Sequence, residues 1–268
     1  SGGFRAGRGM PVPGHPQLCN RCGHCVAVCP ADAVIHPGVD RSQVRAAKPK
    51  LLSPECFEEI VRTRRSVRRF KNQPVAKRDI NRLLDLARYA PTATNAQDVG
   101  FIVVTDREVI RKIANRIFSM GKGTYRLTKT GPVRLAYKAA LAAGVAQTML
   151  KYMDGMEYYQ EQAKKGRDLI CHGAPVLILL HGPAGGTFSS DNCNIAGSVI
   201  THHAHALGLG TVYLGFVTAM LRFFPDFKRM LGLPKGRRVY ATLALGHPKY
   251  RYARTVSRKS PRVTWVEP

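Results

Sequence analysis

"RRSVRRFKNQPVAKRDINRLLDLARYAPTATNAQDVGFIVVT", residues 64–105, carries the reading of the fold. It opens on a basic segment, Arg64–Phe70. A helix follows at about 77–90, with Ile80, Leu83, Leu84, Leu86 and Ala87 at helical spacing. "FIVVT" (101–105) is short, apolar and β-branched, and so reads as a buried strand. Upstream, "SPECFEEIVRTR" starts another helix. Ser53 is placed as N-cap, Pro54 in the first turn, and Glu55, Glu58 and Glu59 near the positive end of the helix.

Downstream, the pattern gives a helix at 107–119 and a long helical region from about 132 to 165. A strand is expected at 175–182. A helix over 191–210 follows, closed by Gly208 and Gly210. "TVYLGF" (211–216) reads as a third strand or strand-like turn, "MLRFFPDFKRMLGL" as helix broken near Pro225, and 239–248 as a last strand. Helices dominate over about four strands, so the fold class is α+β with a central sheet. Residues 1–18 read as a flexible N-terminus, 19–50 as a cysteine module and linker, and 51–268 as the main domain.

The chain has 268 residues and 44% hydrophobic content, enough for a real core. The longest apolar runs, such as "APVLILL" (174–180), are too short to span a bilayer. The opening lacks the apolar core of a signal peptide. The net charge of +25 is spread along the chain, with local density at 62–71 and 249–259. It suits an anionic cofactor, an acidic redox partner or nucleic acid, and its plain reading is a basic, soluble surface.

"LCNRCGHCVAVCP" (18–30) places Cys19, Cys22, Cys25 and Cys29 ahead of Pro30 in the order C-x2-C-x2-C-x3-C-P. This is half of a bacterial two-cluster ferredoxin, whose fourth cysteine serves the other cluster. The competing readings are a zinc site or plain buried cysteines. For a 4Fe-4S cluster the fourth ligand is open. Cys29 folds back, or Cys56, Cys171 or Cys193 substitutes, or three cysteines suffice, or an upstream half is missing. Four thiols within eleven residues suit a reducing compartment and a cytoplasmic location.

"RRSVRRF", "APTATNAQDVGFIVV" (90–104), "GLGTVYLGF" (208–216) and "LGHPKYRYARTVSRK" (245–259) together resemble the nitroreductase family of FMN-dependent enzymes. The resemblance covers about 53–268 and implies a central, mostly antiparallel sheet with surrounding helices. The cysteine run resembles the subgroup carrying a ferredoxin-like 4Fe-4S module. The resemblance implies that Arg64 and Ser66 grip the FMN phosphate and ribityl chain, with Arg65 between them. Arg68 would lie at the N1/O2 edge of the flavin. Planar guanidinium forks suit a phosphate dianion, and a cation at N1/O2 stabilises reduced flavin. Pro91, Thr92, Ala93 and Asn95 match a loop that reaches the flavin from the second subunit, with Gln97 close by. Leu214 and Gly215 match the turn whose N–H faces flavin N5. Arg258, with Lys259, matches the late basic residue on the phosphate. Taken alone, Arg64–Arg69 also reads as a solvated helix end.

Asp98-Val99 follows Gln97 where many members have Pro-Trp, and Tyr213-Leu214-Gly215 replaces the Glu-Gly version of NAD(P)H-using enzymes. The second departure favours electrons from the cluster over direct nicotinamide use. His202, His203 and His205 read as helix residues rather than metal ligands. "GLGTVYLG" lacks the dinucleotide fingerprint and its later acidic residue, and "GPAGGT" (182–187) lacks the Lys of a P-loop. Tyr158, Tyr159 and the Met residues of 149–156 read as core or subunit interface.

The expectation is a homodimeric flavoprotein. An acidic ferredoxin- or flavodoxin-like donor would feed the cluster, and FMN would reduce a small nitroaromatic, quinone or activated alkene. No side chain stands out as acid or nucleophile, and none is required if protons come from solvent. The alternatives are a basic nucleic-acid-binding iron–sulfur protein and an electron-transfer module without its own substrate.

Overall fold

The computed structural model describes residues 4–6, 11–13, 17, 19–128, 131, 132, 135, 155–221 and 223–267. Most of the helical region expected at 132–165, with Met149 and Met153, lies outside the described residues.

Four antiparallel strands form the main sheet: β3 (Gly100–Val104), β4 (Val176–Pro183), β5 (Gly210–Tyr213) and β6 (Arg237–Gly246), in the order β3-β4-β6-β5. The side-chain period of two divides β4 between two cores. Leu177 and Leu179 face one cluster with Ile113, Ile117, Met220 and Phe227, while Val176, Ile178 and Leu180 face another with Leu83, Ile200 and Leu243. Helices α4 (Arg107–Thr128), α7 (Gly215–Leu221) and α8 (Pro225–Met230) supply the first cluster. Helices α3 (Lys77–Ala87) and α6 (Ser189–Ala206) supply the second. The result is helix, sheet, helix in layers, the antiparallel α+β arrangement expected.

Helix α2 (Pro54–Thr63) starts as read: Ser53 Oγ accepts from Cys56 N at 3.3 Å and Pro54 opens the first turn. Yet α2 has no buried residue, and Phe57 is 62% exposed. Helix α4 runs nine residues past the expected end at 119. It passes through Gly121, where a Cβ would lie 3.1 Å from Met156 Cε, at the start of α5 (Met156–Lys164). The close approach of the two helices uses the bare glycine. The strand read over 211–216 ends at Tyr213, and Gly215 begins α7. Helix α6 ends with Leu209 N donating to Ala204 O at 2.8 Å and Gly208 at φ +74°. This is the left-handed closure expected of Gly208, while Gly210, expected to close the helix with it, instead opens β5.

Where a flexible stretch is expected at 1–18, β1 (Phe4–Ala6) pairs antiparallel with β2 (Pro11–Pro13); the rest of that stretch, apart from residue 17, lies outside the described residues. The cysteine run carries the short helix α1 (His24–Val28), in which Val26 alone is buried. The 36–50 segment holds two 3-10 turns, Arg41–Gln43 and Pro49–Leu51. Asp40 caps the first through Ser42 N, and Arg41 forks onto the Asp32 carboxylate.

Candidate functional site

The basic segment Arg64–Phe70 is held by backbone. Ser66 bridges Thr211 of β5 in parallel, and Val67 N donates to Thr211 O at 2.9 Å. Phe70 bridges Pro248, Lys71 N donates to His247 O, and Lys249 N donates to Arg69 O. Val67, 3% exposed, is pressed against Gly210, where any Cβ would fall 2.5 Å from Val67 Cγ2. The segment therefore lies along the open edge of β5, with Ser66, Arg68 and Arg69 exposed.

The two arginines before Ser66 set the charge there. Arg65 Nη1 donates to Arg62 O and Arg64 O, at 2.7 and 2.8 Å. Its Nη2 is buried and has no hydrogen-bond partner. An unpaired buried guanidinium nitrogen is costly, and an anion at this point would satisfy it. Burial pushes the His202 and His205 imidazoles below their usual range, and the Arg64 charge pushes the same way. His205 Nε2 also lies 2.8 Å from Thr63 Oγ1. Histidines placed so near Arg64 and held neutral leave the positive charge with the arginines.

Three residues past Thr211, about 10 Å along the strand, β5 delivers the Tyr213–Gly215 turn. Leu214 N donates to Thr242 O at 2.8 Å, so its N–H is already used. Gly215 is exposed, and a Cβ there would meet nothing within 4 Å. Of the two expected turn residues, Gly215 alone is left facing open space. A cavity of about 320 Å³ lies beside it, lined by Ser190, Asn194, Tyr213, Thr218, Arg238 and Tyr240. That is the size class of a small-molecule site. The Tyr213 hydroxyl donates to Asn194 O at 3.1 Å, and burial pushes its pKa up to about 12. It stays protonated at neutral pH.

The loop from Pro91 to Gln97 is fixed by polar contacts. Thr94, Asn95 and Gln97 sit at φ +53°, +56° and +48°, three left-handed non-glycine residues with Ala96 at φ −61° among them. Such conformations cost energy and persist only where the surroundings impose them. Thr92 Oγ1 accepts from Gln97 N, and Ala93 N donates to Asn192 Oδ1, both at 3.0 Å. Asn192 Nδ2 donates to Asp98 Oδ1 at 3.3 Å, and Arg237 Nη2 donates to Asp98 O. Arg237 also donates from Nε to His181 Nδ1 at 2.7 Å and from Nη2 to His181 O at 3.0 Å. Asn192, Asp98, Arg237 and His181 were missed in the sequence reading. Their partners lie 56 to 139 positions away, and only the departure at Asp98 offered a signal. Helix α6 thus links both parts of the site: Asn192 holds the loop and Asn194 holds Tyr213.

Arg258 and Lys259 are not brought to these residues. They lie in an exposed stretch without helix or strand, where Arg258 Nη1 donates to the adjacent Ser257 O. Nor do the four cysteines gather. Among the described residues no three His, Cys, Asp or Glu side chains converge on a point that could hold a metal ion. Cys19 Sγ lies 3.4 Å from His36 Nε2, and Cys29 Sγ accepts from Ala33 N. Cys171 and Cys193 are buried in the core, and Cys56 is exposed on α2. The residues as placed do not fit an iron–sulfur cluster.

The sequence profile of the Nitroreductase family matches residues 61–247. A protein of Archaeoglobus fulgidus, provisionally named an NADH dehydrogenase/NAD(P)H nitroreductase, is 28% identical over 195 residues, 73% of this chain and 86% of its own. The FMN reductase [NAD(P)H] of Bacillus subtilis is 26% identical over 200 residues, 74% of this chain and 66% of its own. In fold, the chain is similar to a nitroreductase with bound FMN from Bacteroides fragilis. The TM-score is 0.56 at 18% identity, covering 79% of this chain and 98% of that one.

Proposed function

The chain belongs to the nitroreductase family, and we propose that it is an FMN-dependent oxidoreductase acting on a small oxidised organic substrate. The observation that carries this reading is the orphaned Arg65 Nη2 beside Arg64 and Ser66, one short strand from the open Gly215 turn. An anionic end and a planar ring system fit that layout. Bound there, FMN would store two electrons and release them to substrate.

In this reading the chain's own residues bind and orient. Arg64, Arg65 and Ser66 hold the phosphate and ribityl chain, and Arg68 supplies positive charge at the pyrimidine edge. Gly215, with no side chain and with open space before it, lets its backbone N–H approach the ring, while Leu214 anchors the turn through Thr242. Pro91, Thr92, Ala93, Asn95 and Gln97 form the loop wall. Arg258 and Lys259 join the phosphate only if a second subunit brings them. A protonated Tyr213 orients groups in the cavity but, with a pKa near 12, is a poor acid. Protons therefore come from solvent.

Surface chemistry supports a homodimer. Phe57 and Val61 on α2, Leu51 and Leu52 before it, and Trp265 in the tail are exposed apolar side chains. Exposed large apolar side chains in such number suit burial against a partner, and a second copy of the chain is the simplest one. No described helix is long and apolar enough to cross a membrane. The cysteine spacing argues for a 4Fe-4S electron source on sequence alone, loaded by an acidic donor that the basic surface would steer. No chemistry is routed through it, since the thiols are dispersed.

The test is stoichiometric FMN binding by the purified chain, read by quenching of flavin fluorescence, followed by reduction of a nitroaromatic or quinone. Failure of Arg64→Ala to weaken FMN would overturn the site. Absence of flavin binding by the unaltered chain would overturn the function.

A further inference from the structure

The loop at Thr92–Gln97, the wall of the proposed flavin site, also contacts the cysteine segment. Asn95 Nδ2 donates to Asn20 O and to Arg21 O, both at 3.0 Å. These carbonyls lie between Cys19 and Cys22. Both amide hydrogens of Asn95 are therefore spent on the cysteine segment, and its Oδ1 is left as an acceptor. Among the described residues, these two hydrogen bonds tie 19–50 to the main domain, and attraction between Arg88 and Asp40 adds to them. The segment brings little core of its own, since Val26 is its one buried hydrophobic residue. Arg21 at the contact has φ +56°, matching the left-handed Asn95 opposite it. The loop cannot yield easily, because Asn192, Arg237 and the Thr92 hydroxyl hold it from below.

We propose that this loop is the docking seat for the chain's own cysteine segment. Asn95 is the positioning residue that couples order in that segment to occupancy of the flavin site. The docking half stands on the geometry alone, and the coupling half rests on the FMN reading. Coupling is reciprocal: if FMN stiffens the loop, it stiffens the seat, and a docked segment in turn favours FMN. If the loop serves the flavin of a second subunit, as the family resemblance implies, each cysteine segment governs its neighbour's site.

The test is thiol labelling of the full chain with an uncharged maleimide, resolved by peptide mass. Cys56 serves as the exposed reference, and Cys171 and Cys193 report global unfolding. Asn95→Asp keeps the side-chain shape and removes both donors, while Asn95→Gly keeps the left-handed backbone and removes the amide. Without FMN, both variants should raise labelling of Cys22 and Cys25 relative to Cys56 by about tenfold, the worth of two neutral hydrogen bonds. Cys171 and Cys193 should stay protected. An unchanged ratio overturns the docking seat. With the unaltered chain, FMN should slow labelling of Cys22 and Cys25. No change, or an acceleration, with FMN demonstrably bound overturns the coupling. A chain that binds no FMN, yet responds to Asn95→Asp, overturns the functional reading and leaves the docking seat standing.

Discussion

Two motifs in this chain are equally plain in the sequence and end differently in the structure. Arg64–Phe70 is stitched to Thr211, His247 and Pro248 by backbone hydrogen bonds and bridges, and Val67 is sealed against Gly210. Cys19–Cys29 has one buried side chain, and its thiols do not converge. The first motif takes its geometry from the core. The second has almost no core to take geometry from, and its side chains stay mostly at the surface. A residue pattern announces both alike, and packing decides which is already in place.

The sharpest way to break this contrast is to remove packing from each side. Leu179→Ala, in the fully buried centre of β4, should cost about 3–5 kcal/mol in denaturant unfolding, while Val26→Ala, a smaller deletion in the cysteine segment, should cost less than about 1.5. Equal costs would mean that the segment shares the core. Next in size, Arg64→Ala should weaken FMN binding by about 10- to 100-fold, as loss of a charged hydrogen bond does. Arg258→Ala should do so only at protein concentrations where the dimer persists, as followed by fluorescence titration across dilution.

Charge sharpens the comparison further. Burial pushes His172, His181, His202, His203 and His205 below their usual range, and all lie in the main domain. The folded chain then binds fewer protons than the unfolded one below pH 6.5, so stability is full at neutral pH and falls on acidification. On the other side, Tyr213 is raised to about 12 and Cys193 to about 12, so stability should also fall as pH rises above about 9. Melting temperatures from pH 5 to 10.5 should trace this dome, and Tyr213→Phe should flatten part of its alkaline limb. The smallest effect concerns the cysteines. Anaerobic treatment with an iron chelator should leave the main melting transition within about a degree, because the segment adds one side chain to the buried set. A large drop would show that a cluster knits the segment into the fold.

The strands and the cap at Ser53 were legible because short apolar β-branched runs and capping act over a few residues. The end of α4 was not, since the helix passes through Gly121, whose neighbour Met156 is distant in sequence. For the site, Arg64, Ser66 and Gly215 were legible as motif residues, and the structure joins them through β5. The clamp of Asn192, Asp98, Arg237 and His181 was not legible, because its bonds join residues 56 to 139 positions apart with no local period. Arg258 was legible as a pattern, yet nothing within one subunit carries it to the others.

The Asn95 clasp also bears on how the chain is made. The cysteine segment leaves the ribosome about seventy residues before its seat, and the seat's anchors, Asn192 and Arg237, come far later still. At synthesis rates of about 5–20 residues per second, the thiols spend several seconds without their docking partner. During that interval the four thiols are exposed to solvent without the contact that holds their segment in the folded chain.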